Sequence, residues 1–204
     1  MRRNRRGVAA VAMDVTRWWS HTTPMFIPEL KRHLTVCGAS EVAQFLKRDP
    51  KFWNIVSIYE PSIPRQQWQY ARDVHYACFH DAENVVAGRE IRFPTRDDIA
   101  AIFRFVDAHP DQPILIHCLA GQSRSTAVAL ALIVRGLLAA GTSSVVEAAV
   151  AYLLEIRRIA RPNALVLRHG LGLFCEPECA ERLAVELLNH PQLMENRFVK
   201  RPGH

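Results

Sequence analysis

The 204-residue sequence contains no apolar run that approaches the ~18 residues of a membrane helix, so no membrane span is expected. Its cysteines form no disulfide framework. There are five, an odd number, at Cys37, Cys78, Cys118, Cys175 and Cys179, and their spacing is not that of a small secreted domain. A reducing, cytoplasmic setting is the expectation. Nor does any segment repeat at a period of about 20–50 residues, which excludes solenoids and propellers. The opening "MRRNRRGVAAVAMD" begins like a secretory leader, but its apolar stretch stops at Asp14 with no small-residue cleavage site after it.

The formal net charge of +6 would suit a nucleic-acid binder, but its distribution does not. Residues 1–24 hold Arg2, Arg3, Arg5, Arg6 and Arg17 against Asp14, a net of +4, which leaves +2 for the other 180 residues. No specific nucleic-acid partner is expected. With 49% hydrophobic and 23% charged residues, the chain suits one globular domain with a sizeable core. The expected layout is a flexible basic extension over 1–28, a catalytic domain over 29–195 and a tail over 196–204.

Periodicity predicts strands at "LTVCG" (34–38), "FWNIVSIYEP" (52–61), "VHYACFHD" (74–81) and "QPILIHC" (112–118), separated by helical patterns. The last strand is an unbroken apolar run, as a central strand covered on both faces would be. Thr95 with Asp98, and Ser144 with Glu147, read as capping boxes that open two helices. Gly141 ends the alanine-rich helix that starts near Arg124. The predicted fold is α/β, with a mostly parallel central sheet of four to five strands flanked by helices. Ligands in such sheets sit beyond the carboxyl ends of the strands, where Cys118 falls.

That place carries "HCLAGQSRST", residues 117–126. A bare cysteine and arginine at this spacing arises by chance about 0.5 times in this composition. With the flanking His, central Gly and following Ser or Thr the figure falls to roughly 1 in 10,000. The spacing has a physical logic. A loop between a strand end and a helix start can turn several backbone N–H groups toward one centre, an anion site. Gly121 permits a conformation closed to other residues. Arg124 supplies a planar fork that fits two oxygens of a phosphate. The groups that hold a dianion would also stabilise a Cys118 thiolate.

The loop resembles the His-Cys-x-x-Gly-x-x-Arg-Ser/Thr phosphate loop of the cysteine-dependent protein tyrosine phosphatases, above all the compact dual-specificity and bacterial members. The resemblance spans about residues 33–175. It implies a phosphate loop between a central strand and a buried helix. It also implies that Cys118 attacks phosphorus and becomes a phosphocysteine, and that Arg124 binds the equatorial oxygens. Ser125 would donate to the sulfur, and His117 would point away from the pocket and hold the loop. The backbone of Leu119, Ala120, Gly121, Gln122, Ser123 and Arg124 would form the cradle. The family takes its general acid from an upstream aspartate. Asp81, 37 positions before Cys118, fits that place, with Glu83, Asp97, Asp98 and Asp73 as competitors. No metal or other cofactor is implied. "RRIARPNALVL" resembles the Pro-Asn segment of many members in shortened form, so no role is assigned to Asn163.

No Asn-Arg-Tyr tripeptide is present to deepen the pocket, and the loop side chains Leu119, Ala120, Gln122 and Ser123 carry no charge. A phosphorylated protein is therefore the expected substrate, tyrosine or mixed, with a small phosphoester as the other possibility. Two rival readings are a phosphate-binding module without catalysis and a rhodanese-like sulfurtransferase. His169, Cys175, Cys179 and His190 can be drawn as a zinc site, but the cysteine spacing favours packing. Cys37 and Cys78 read as core residues, and a resolving disulfide from either to Cys118 is the alternative.

Overall fold

A computed structural model describes residues 22–84, 88 and 90–198. Most of the expected basic extension, part of the loop before Arg92 and most of the expected tail lie outside the described residues. In chain order the elements are β1 (Met25–Ile27), β2 (Arg32–Gly38), α1 (Ala39–Arg48), β3 (Asn54–Tyr59), β4 (Asp73–Cys78), α2 (Arg96–Asp107) and β5 (Ile114–Cys118). Then follow α3 (Arg124–Ala139), α4 (Val145–Ile156), α5 (Ala164–Leu171), α6 (Pro177–Leu188) and α7 (Pro191–Phe198). Among these helices none is long and apolar enough to cross a membrane.

The five strands run in the order β1-β2-β5-β3-β4, parallel except for β1. β5 sits at the centre and all five of its residues are buried. Its alternation divides the core. Ile114, Ile116 and Cys118 face α3, together with apolar side chains of α2, α4, α5 and α6. Leu115 faces the other way, among Val42 and Leu46 of α1 and the loop residue Trp53. The α/β fold with a mostly parallel sheet is thus as the periodicity indicated. On α3 only Arg135, Leu138 and Ala139 escape burial, as an all-apolar helix requires. Gly141, at φ 70°, ends it: Thr142 N–H bonds to Leu137 O and Gly141 N–H to Leu138 O.

Three details depart from the sequence reading. Residues 22–27, expected within the basic extension, make backbone pairings with the rest of the fold. Met25 and Ile27 pair with Leu34 and Arg32 at the sheet edge, and Thr23 N–H reaches Ile156 O at 3.0 Å. A three-residue strand is too short for periodicity to detect. α7 likewise extends past residue 195. The Thr95–Asp98 capping box forms, but Ser144 makes no side-chain cap despite Glu147.

Tight packing shows at Gly170 on α5, where an added Cβ would stand 2.7 Å from Ala131 Cβ on α3. Neither atom can swing aside. Gly170→Ala should therefore destabilise the protein by about 1–3 kcal/mol, despite the better helix propensity of alanine. Urea unfolding checks this; a stability equal to or above wild type would refute the close approach.

His117 on β5 is only 3% exposed. Its ring meets Trp68 edge-on, centroids 5.1 Å apart, and neither ring nitrogen completes a hydrogen bond. Burial lowers its pKa from 6.5 to about 4; the nearby Cys118 main chain opposes this and the Arg124 charge adds to it. The unfolded chain thus takes up the proton first as pH falls. His117's contribution to stability is complete above pH 6.5 and is lost as pH drops toward 4, by about 3 kcal/mol. In urea unfolding at pH 7 and pH 4, wild type should lose about that much more than His117→Gln. Equal losses, or an imidazole titrating near 6.5 in the folded protein, would contradict it.

Candidate active site

The loop 119–123 joins β5 to α3, and its conformation is dictated from outside. Leu119 O accepts from Ala39 N (3.1 Å) at the start of α1. Arg157, 4% exposed, donates from Nη2 to Ala120 O and from Nε to Gly121 O, both at 3.0 Å. Gln122 O accepts from Arg161 N (2.7 Å) and Thr126 Oγ1 (2.5 Å). Ser123 O accepts from Ala127 N (3.0 Å) and Thr126 Oγ1 (2.8 Å). Each peptide is planar and trans, so an outward carbonyl turns the next amide inward. The N–H groups of residues 120–124 therefore face the interior of the loop. Gly121, at φ 65°, lies flat on the end of β2; a Cβ there would fall 2.3 Å from the carbonyl carbon of Cys37. Arg157 itself is neutralised by Glu41 at 3.0 Å, and Glu41 also accepts from Gly38 N at 2.5 Å.

Cys118 Sγ lies 3.2 Å from Ser125 Oγ and is 2% exposed. Arg124, at the first position of α3, is 1% exposed. Its Nη1 donates to Phe79 O (2.8 Å) and its Nη2 to Glu60 Oε1 (3.0 Å). Its Nε is buried without a hydrogen-bond partner, 3.9 Å from Asp81 Oδ2. The guanidinium is thus buried beside the inward amides of the loop with its Nε unpartnered. His117, one residue before the cysteine, projects to the opposite face of the sheet.

Among the competing carboxylates, Asp81 is the one brought to the loop. Its Oδ1 accepts from Ser123 Oγ (2.7 Å) and from Asn163 Nδ2 (3.0 Å). Glu83 caps the start of α5 through Ala164 N. Asp98 is bound to Thr95 and Arg92, and Asp73 to His109, which accounts for both elsewhere. Asp97 lies in the first turn of α2.

Four contributors to the site went unrecognised in the sequence: Glu60, Asn163, Arg157 and Arg161. Glu60 was the most accessible of them, because it follows β3, the parallel neighbour of β5, and so falls at the same strand-end crevice. Asn163, for which the shortened Pro-Asn segment gave no role, caps α5 through Val166 N and also holds Asp81.

The other cysteines divide by face and distance. Cys37 is fully buried on the α1 side of the sheet, where burial pushes its thiol pKa well up, while Cys118 faces α3. Cys78 lies two strands away from β5, about 10 Å at ordinary strand spacing and beyond disulfide reach. Neither strand cysteine is placed to bridge Cys118. Among the described residues, no three of His, Cys, Asp or Glu converge as metal ligands. Cys175 and Cys179 adjoin each other and pack against the core.

No protein-family model matches the chain, and no curated protein matches it in sequence. Solved structures do. The human tyrosine phosphatase-like serine/threonine/tyrosine-interacting protein is similar at 19% identity and TM-score 0.48, over 75% of this chain and 95% of that one. The Yvh1 phosphatase domain of Chaetomium thermophilum is similar at 21% and 0.48, over 69% and 88%. DUSP15 is similar at 22% and 0.45, over 81% and 94%. The likeness is one of chain path alone, and it transfers no residue role to this protein.

Proposed function

We propose that the protein is a cysteine-dependent phosphomonoester hydrolase of the protein tyrosine phosphatase superfamily, acting on phosphotyrosine with tolerance for other phosphorylated side chains. One observation carries the reading: the carbonyls of residues 119–123 all bond outside the loop, which turns the amides of residues 120–124 inward, between Cys118 and Arg124 with its unpartnered Nε. The loop's uncharged side chains and the absence of a pocket-deepening tripeptide support the protein substrate.

In this mechanism a phosphoryl dianion rests on the amides of residues 120–124 and on Arg124. The Cys118 sulfur attacks phosphorus in line, a P–S bond forms and the P–O bond to the leaving group breaks. Asp81 delivers its proton to the departing oxygen. Water then attacks the phosphocysteine, Asp81 takes up a proton from it, and the P–S bond breaks to release phosphate. Ser125 Oγ–H donates to the departing thiolate, consistent with the 3.2 Å separation. Glu60 and Phe79 O hold the guanidinium in place, so that it need not reorganise as charge develops. Arg157 and Asn163 are positioning residues, the first for the loop and the second for Asp81.

A binding module without turnover is the second reading. It draws on the near-complete enclosure of Cys118 and on the Asp81 carboxylate lying beside the Arg124 Nε that an oxyanion would use.

Hydrolysis of p-nitrophenyl phosphate and of a phosphotyrosine peptide separates the two. Cys118→Ser should abolish turnover. Arg124→Lys should lower kcat/KM by about a thousandfold or more, because lysine lacks the fork. Asp81→Asn should cost about a hundredfold on the peptide and less on p-nitrophenyl phosphate, whose leaving group needs little help. Turnover that survives in Cys118→Ser would sink the hydrolase reading. Wild type that binds tungstate but hydrolyses neither compound would favour the module.

A further inference from the structure

Resting on that phosphomonoester reading, we infer that the cleft beside the loop takes a second anionic group of the same substrate, held by Arg161 and Arg197. The cleft has a volume of about 470 Å³, more than one phosphoryl group fills. Loop residues Gln122 and Ser123 line it on one side, and Arg161 and Arg197 contribute to its wall. Arg161 is anchored to the loop by its own backbone, which donates to Gln122 O at 2.7 Å. Its side chain therefore starts one hydrogen bond away from the anion cradle.

Arg197 comes from α7, the last helix described. Asn196 ties that helix down, donating to Arg158 O (2.8 Å) and Ala160 O (3.0 Å), just before Arg161. Arg161 Nη2 also approaches Arg197 O at 3.5 Å. Two arginines thus line one cleft beside the loop, through contacts that do not neutralise them.

The described arginines divide into those that meet a carboxylate and those, Arg65, Arg104 and Arg158 among them, that do not. Arg92, Arg135, Arg157 and Arg168 each meet a carboxylate within 3.0 Å. Among the described residues neither Arg161 nor Arg197 does. Two carboxylates line the same cleft, Asp81 bound to Ser123 and Asn163, and Glu83 to the first amide of α5; neither forms an ion pair with Arg161 or Arg197. A guanidinium that no carboxylate holds suits a phosphate or carboxylate, which accepts two parallel hydrogen bonds from its fork. The substrate class is a phosphomonoester with a second phosphate or carboxylate near the scissile one. An acidic or doubly phosphorylated peptide offers this, and so does a small polyphosphorylated molecule.

Calorimetry on Cys118→Ser protein, which would hold ligand without turning it over, tests the inference with two probe pairs. One pair is a phosphotyrosine peptide flanked by alanine and the same peptide with phosphoserine beside the phosphotyrosine. The other is an inositol monophosphate and an inositol bisphosphate. At least one doubly charged probe should bind about tenfold more tightly than its partner. Adding Arg161→Gln and Arg197→Gln together should cut that advantage below about threefold. The pair that shows the advantage identifies the source of the second anion. No advantage in either pair, or one that survives both substitutions, overturns the inference. Discrimination without hydrolysis by the wild-type protein would remove the hydrolase reading and leave the second-anion site standing. Absence of binding by every probe overturns both.

Discussion

Peptide planarity is the constraint on which the site depends. Once a carbonyl is committed to a partner outside the loop, the following amide has to face inward. From Leu119 to Ser123 each carbonyl is so committed, to partners on α1, on α3, at the end of α4 and in the segment before α5. The cradle is therefore built by the surrounding elements rather than by the loop. An isolated peptide of the same ten residues would satisfy those carbonyls with water and lose the convergence of amides.

The same economy governs Arg124. A guanidinium 1% exposed would carry a large desolvation cost if left alone. Two of its three nitrogens are satisfied by Phe79 O and Glu60, which come from the ends of strands flanking the crevice. The third faces Asp81 at 3.9 Å, too far for a hydrogen bond. Arg124 Nε is thus left without a hydrogen-bond partner in the interior. Arg157 uses all three nitrogens on protein atoms and serves as scaffold. Arg161 and Arg197, half-buried on the cleft wall, lie at the other extreme.

Much of this was legible in the chain. The alternation of Ile114, Leu115 and Ile116 between two cores follows from the two-residue strand period, and the unbroken apolar run showed that both faces were covered. Gly121 and Gly141 adopt the positive φ that the loop and the helix stop called for. Asp81 was singled out by its place after a strand. β1 escaped notice because three residues carry no period, and the failed Ser144 cap shows that a motif states a capacity and not an outcome.

By itself the sequence determined the order of strands and helices, the buried character of β5 and α3, and the spacing that sets a cysteine and an arginine at the two ends of one short loop. These are local properties, written in side-chain periodicity and in the steric freedom of glycine. Only the tertiary structure decided which groups meet there. Glu60, the pair Phe79 and Asp81, the stretch from Arg157 to Asn163, and Arg197 come from four separate parts of the chain, and each enters through a hydrogen bond or a shared cleft that exists once the sheet has stacked its strand ends side by side. Such pairings depend on register and packing across many residues, for which no single stretch of sequence holds the information.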